Sequence, residues 1–88
     1  MQFNANHKVE HTSLTKEEAY VFVKFLIGET IRHDDAIRDA QREIEREQDK
    51  AMIAFLETAI RRHEKDISDT KELIKSVRHW HSLPKEGE

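Results

Sequence analysis

Eight positions in the second half of the chain, Leu56, Ile60, His63, Ile67, Thr70, Ile74, Val77 and His81, step by 4, 3, 4, 3, 4, 3 and 4. Side chains at this spacing fall on one narrow stripe of an α-helix, and such a stripe has to be covered by another helix packed along it with a left-handed twist. Met52, Ile53, Phe55, Ala59 and Leu73 widen the stripe toward its two ends. Pro84 and Gly87 follow it, so the helix is predicted to stop there and residues 83–88 to form a frayed tail.

The start of a first helix is equally readable. Thr15 followed three residues later by Glu18 forms a capping box, in which each side chain closes on the other residue's backbone N–H. Leu14 and Ala19 occupy the flanking staple positions, and Glu17 and Glu18 complement the positive end of the helix dipole. From this cap to Trp80 there is no proline, and the only glycine is Gly28. Gly28 is expected to mark a kink, a close helix contact or a short break, or else to be a glycine the helix tolerates at a cost of about 1 kcal/mol relative to alanine. Residues 1–12 have no helical period and are predicted to be a flexible or extended lead.

Between Tyr20 and Ile27 the sequence is apolar on nearly every side, with Lys24 the exception. A helix of that kind is buried on more than one side, and one partner helix cannot cover Tyr20, Val21, Phe22, Val23, Phe25, Leu26 and Ile27 together. Residues 34–50 are the opposite: a thin seam of Ile37, Ala40 and Ile44 between an acidic line (Asp35, Asp39, Glu43, Glu47) and a basic one (Arg38, Arg42, Arg46). Pairs such as Asp39–Arg42 and Glu43–Arg46 contribute about 0.2–0.5 kcal/mol each, as on a solvated, ion-paired face.

The two apolar seams are out of phase. Following Ile37 and Ile44 by sevens leads to Ala51 and Thr58, off the later stripe. A turn near Glu47–Lys50 accounts for the shift and folds the chain into an antiparallel helical hairpin, although no Gly, Pro or Asn marks that turn. A continuous helix with a stutter is the alternative. The predicted fold is therefore all-α: two long helices, the first with a possible kink at Gly28, forming a hairpin domain over residues 13–82. With 36% of its 88 residues apolar and 38% charged, so short a chain makes a marginal core alone. It is predicted to assemble into a homo-oligomeric bundle through Tyr20, Val21, Phe22, Phe25, Leu26, Ile27, Phe55, Ile67, Ile74, Val77 and Trp80.

Composition narrows the function. No cysteine is present, which removes disulfides, thiolate metal sites and cysteine catalysis. The net charge of −3, with both signs interspersed, argues against nucleic acid and an anionic membrane as partners. No stretch reaches the roughly 20 apolar residues of a membrane span, and the polar N-terminus does not read as a signal peptide. A cytoplasmic location is expected. No glycine-rich phosphate loop, zinc-finger spacing or nucleophile–base pair is present, so no catalytic residue, resident metal or cofactor is assigned and the chain is expected not to be an enzyme.

One polar constellation does emerge. A hairpin turning near residues 48–49 sets position i against about 97 − i, which places His33 near His63 and Glu64, with Arg32, Asp34 and Asp35 beside the first and Arg61, Arg62 and Asp66 beside the second. Three readings are open. His33, His63 and Thr70 form a polar layer that fixes register and oligomer number; or the histidines and adjacent carboxylates bind a divalent metal, as in some helical bundles, though without their usual Glu-x-x-His pair; or Arg32, His33, Arg61, Arg62 and His63 bind a small anion between subunits. At the C-terminal end, His79 and His81 are expected to cap free carbonyls and Trp80 to fill the end of the bundle. His7 and His11 fall in the lead and read as surface residues.

In size, in its hairpin plan, and at Leu14, Thr15, Gly28, Ala59 and Ile60, the chain resembles the small helical phage proteins that sequester cyclic nucleotides. The likeness covers no diagnostic motif and assigns no site residue; it implies only that a small anionic ligand is worth considering. Three functions therefore stand as expectations: a self-associating, non-enzymatic protein that binds, regulates or inhibits a macromolecular partner; an oligomeric sponge or sensor for a small anionic ligand such as a cyclic nucleotide; and a divalent-metal-binding bundle.

Overall fold

A computed structural model describes residues 11–84 of the chain. A short 3-10 turn over His11–Ser13 leads into helix α1 (Lys16–Arg46), and a three-residue reversal leads into helix α2 (Lys50–His81). The two helices lie against each other as a hairpin, so the continuous-helix alternative does not hold. No helix of the described residues is long and apolar enough to cross a membrane.

α1 starts where the capping box places it. The Thr15 hydroxyl accepts from the Glu18 N–H at 3.1 Å, and the Glu18 carboxylate accepts from the Thr15 N–H at 2.9 Å. The helix then runs through Gly28 without interruption to Arg46. A Cβ built on Gly28 would approach nothing nearer than the end of the Arg32 side chain, at 4.0 Å. Among the described residues, no close packing requires a glycine there.

The reversal is made by acidic side chains. Glu47 leaves the helix with extended backbone, and its carboxylate accepts from the N–H groups of Gln48 and Asp49, both at 3.1 Å. Asp49 is the N-cap of α2, accepting from Ala51 N–H at 2.9 Å and Met52 N–H at 3.4 Å. The free donors of a new helix and of the turn itself are thus satisfied without glycine or proline. α2 ends on Ser82, which adopts the left-handed conformation (φ 54°), and Leu83 N–H bonds back to the Arg78 carbonyl at 2.9 Å. Leu83, at the start of the expected tail, folds back against the core.

The core sits at the end of the hairpin away from the turn. Leu14, Ala19, Phe22, Val23 and Leu26 meet Ile74 and Val77, with Phe25, Ile27, Leu73 and Leu83 packed around them. Ile37 is buried separately, farther along. Every position of the 4–3 stripe is buried or half-buried, as its spacing dictates. The stripe, however, is only fully covered at Ile74 and Val77; from Leu56 to Thr70 it stays half-open.

On the polar face the expected pairs form: Asp39–Arg42 at 3.3 Å and Glu43–Arg46 at 3.5 Å, joined by Arg38 bridging Asp34 at 3.2 Å and Asp35 at 3.4 Å. All are solvent-exposed pairs on one helix, which contribute little individually.

The helix-start region differs from expectation at one residue. His11, read as a surface residue of the lead, is half-buried and tied to α2. Its Nε2 lies 3.2 Å from the Ser76 hydroxyl, and its carbonyl accepts both from Leu14 N–H at 3.1 Å and from His81 Nε2–H at 2.7 Å. The His11 and His81 rings meet edge to face with centroids 5.8 Å apart. His81 is thereby used to anchor the chain before α1 rather than to cap its own helix. His7 and the rest of the expected lead up to residue 10 lie outside the described residues.

Candidate functional site

The hairpin register brings His33 of α1 and His63 of α2 face to face, within one residue of the position expected from the turn. Their Nδ1 atoms are 2.7 Å apart and their ring centroids 5.0 Å, with the ring planes inclined at 49°. Two imidazole nitrogens at that distance share a proton, one ring donating its Nδ1–H and the other accepting. Both rings are half-buried between the helices, flanked along the hairpin by the terminal core on one side and Ile37 on the other.

Asp66 completes the group. It stands three residues after His63, hence on the same face of α2, and one ligand atom from each of His33, His63 and Asp66 lies within 4.8 Å of the others. Asp66 is exposed, so the group opens to solvent on that side. The neighbouring Lys65 does not neutralise it by contact: its ammonium is bound to Asp69 at 2.9 Å, and that hydrogen bond, with the Asp69 charge, holds Lys65 above its ordinary pKa.

The arginines are not drawn into this group. Arg32 is exposed and ion-paired to Glu29 on its own helix. Arg61 is exposed and donates to the Thr58 hydroxyl at 3.2 Å, again on its own helix. Arg62 is exposed. The five residues expected to form an anion site therefore split into a half-buried histidine pair and three solvent-facing arginines.

The expected interface residues also divide. Phe22, Leu26, Ile74 and Val77 are already buried inside a single hairpin, and Phe25, Ile27 and Ile67 are half-buried. Tyr20, Val21, Phe55 and Trp80 are exposed, the last two at 67% and 60%. Trp80 thus does not fill the end of one hairpin, where Leu83 packs instead. Ile31, at 57% exposure, joins this uncovered set. It lies off both seams, and its only sequence signal is a large apolar side chain between Thr30 and Arg32.

Comparison of the chain with protein-family models, with curated proteins and with solved structures finds no match. The functional reading rests on the geometry alone.

Proposed function

We propose that the chain is a non-enzymatic interaction protein: hairpins pair into a homo-oligomeric bundle, and the bundle binds and regulates or inhibits a macromolecular partner. The observation that carries this reading is the set of large apolar side chains that a single hairpin leaves uncovered. Tyr20, Val21 and Ile31 on α1, with Met52, Phe55 and Trp80 on α2, are all more than two-fifths exposed. Two helices can cover only one side of each other, and the half-open stripe from Leu56 to Thr70 shows the same shortage of covering surface. Exposed large apolar side chains on so small a chain favour association, and a second copy supplies matching apolar groups through a symmetric contact. The ion-paired face from Asp34 to Arg46 remains outward and is the surface offered to a partner.

Sedimentation velocity of the wild type beside the double variant Phe55→Asp/Trp80→Asp tests the assembly. The wild type is expected to sediment as a dimer or larger and the variant as a folded monomer, since neither residue belongs to the core of one hairpin. A folded wild-type monomer at micromolar concentration would remove the basis of the reading. For the regulatory half, the intact oligomer is expected to retain one specific macromolecule from its cellular background, and charge reversal at Asp39 and Glu43 to release it. Equal retention by the charge-reversed protein would count against the polar face as the contact.

A further inference from the structure

We infer that His33, His63 and Asp66 form a binding site for a divalent transition metal of the zinc class, held at the mid-length of the hairpin and cross-linking its two helices.

The arrangement has three properties that a polar register layer does not need. Both histidines present the same ring atom, Nδ1, to one point between the helices, whereas a packing pair needs only one hydrogen bond in any orientation. A carboxylate stands within reach of the same point, from the helix that carries His63. And its lysine neighbour is engaged with Asp69 at 2.9 Å instead of closing on it. Two imidazoles and a carboxylate are the donor set suited to zinc and to cobalt, nickel or iron in the divalent state, not to calcium or magnesium, which favour oxygen alone.

Side-chain rotation has to bring the three ligand atoms, which lie within 4.8 Å of one another, to the spacing of a tetrahedral shell. Zinc–nitrogen bonds of about 2.0–2.1 Å in a tetrahedral shell set the two nitrogens about 3.3 Å apart. The rings have to separate by about half an ångström from their 2.7 Å contact, which side-chain rotation supplies. On binding the shared proton leaves Nδ1 for Nε2 of the donor ring, a change of tautomer that frees both Nδ1 nitrogens to ligate as neutral imidazoles. The carboxylate of Asp66 brings a negative charge to the ion. Three protein ligands leave a position for water or for an added group, on the solvent-facing side where Asp66 is exposed. Because all three ligands come from one chain, the site is complete in a monomer and in an oligomer alike, and its test does not depend on the assembly proposed above.

Isothermal titration of the metal-stripped full-length chain with zinc chloride, with magnesium chloride as the control, tests the site. One zinc ion per chain is expected at the site, with a rise in Tm of about 10 °C at a hundredfold excess over Kd, and no response to magnesium. Nitrogen-15 spectra of the histidine rings identify the ligands: Nδ1 of His33 and His63 is expected to shift, with Nε2 protonated in both rings of the zinc-bound protein. Asp66 is exposed, so Asp66→Asn leaves the fold intact and is expected to weaken zinc about tenfold or more. His33→Gln with His63→Gln, checked for helicity by circular dichroism, should abolish the Nδ1 shift and the Tm rise. His79→Gln with His81→Gln should leave both in place. The inference is overturned if zinc gives no heat and no Tm shift, if the ring signals that move belong to other histidines, or if Asp66→Asn binds zinc as tightly as the wild type.

Discussion

Asp49 and Ser82 are the residues on which the two ends of α2 depend, and they pull in opposite directions. Asp49 satisfies two backbone N–H groups at the start of the helix; Asp49→Ala is expected to cost about 1 kcal/mol by chemical denaturation. Ser82, exposed at the end of the helix, holds a left-handed backbone at φ 54°, a conformation that costs a residue with a Cβ more than it costs glycine. Ser82→Gly is therefore expected to stabilise the protein by about 1 kcal/mol, a Tm rise of several degrees. Gly28 is a second position with room for improvement, since a methyl group there meets only open space and the far end of Arg32. Gly28→Ala is expected to add about 1 kcal/mol through helix propensity alone. A loss of stability on Gly28→Ala would instead place a second copy of the chain against that point of α1. At the histidine pair, replacing both rings by leucine removes two half-buried polar groups together, so the metal-free His33→Leu/His63→Leu variant is expected to be at least as stable as the wild type. A marked loss in the same denaturation experiment would show a network beyond the single Nδ1 contact.

At the scale of the elements, the sequence carried the helices more clearly than the turn between them. The capping box at Thr15 and the 4–3 stripe from Leu56 to His81 are periodic or reciprocal signals, in which several residues agree on one geometry, and the structure follows both. The phase shift between Ile44 and Leu56 located the reversal, and with it the meeting of His33 and His63. What the sequence did not display was the chemistry of the turn. The turn holds no glycine or proline; Glu47 and Asp49 build it by accepting backbone hydrogen bonds, a role that any acidic residue in a charged stretch can conceal. His11 was hidden for a different reason: its bonds to Ser76 and His81 span more than sixty positions and leave no local pattern. The arginines failed to join the histidines because seam position alone does not fix where long side chains go, and Arg32 and Arg61 each find a partner on their own helix. The uneven coverage of the stripe has an energetic consequence. Phe22 is fully buried in the terminal core, while Ile60 is half-buried nearer the turn. Phe22→Ala is expected to cost about 3–5 kcal/mol and to unfold so small a domain.

The whole molecule is a slender hairpin, 50 × 26 × 19 Å, with a sound core at one end and apolar side chains facing solvent along much of the rest. Among the described residues, the large side chains that are fully buried are Phe22, Leu26 and Val77, few for a chain that must offset the ordering of two helices of more than thirty residues each. In the assembly proposed above, a second copy would supply the missing burial. The most direct measurement is native mass spectrometry of the full-length protein at micromolar concentration, with circular dichroism on the same sample. Dimers or larger species, with helical signal intact, are the expected result. A helical protein that remains a monomer throughout would contradict the assembly on which the proposed function stands.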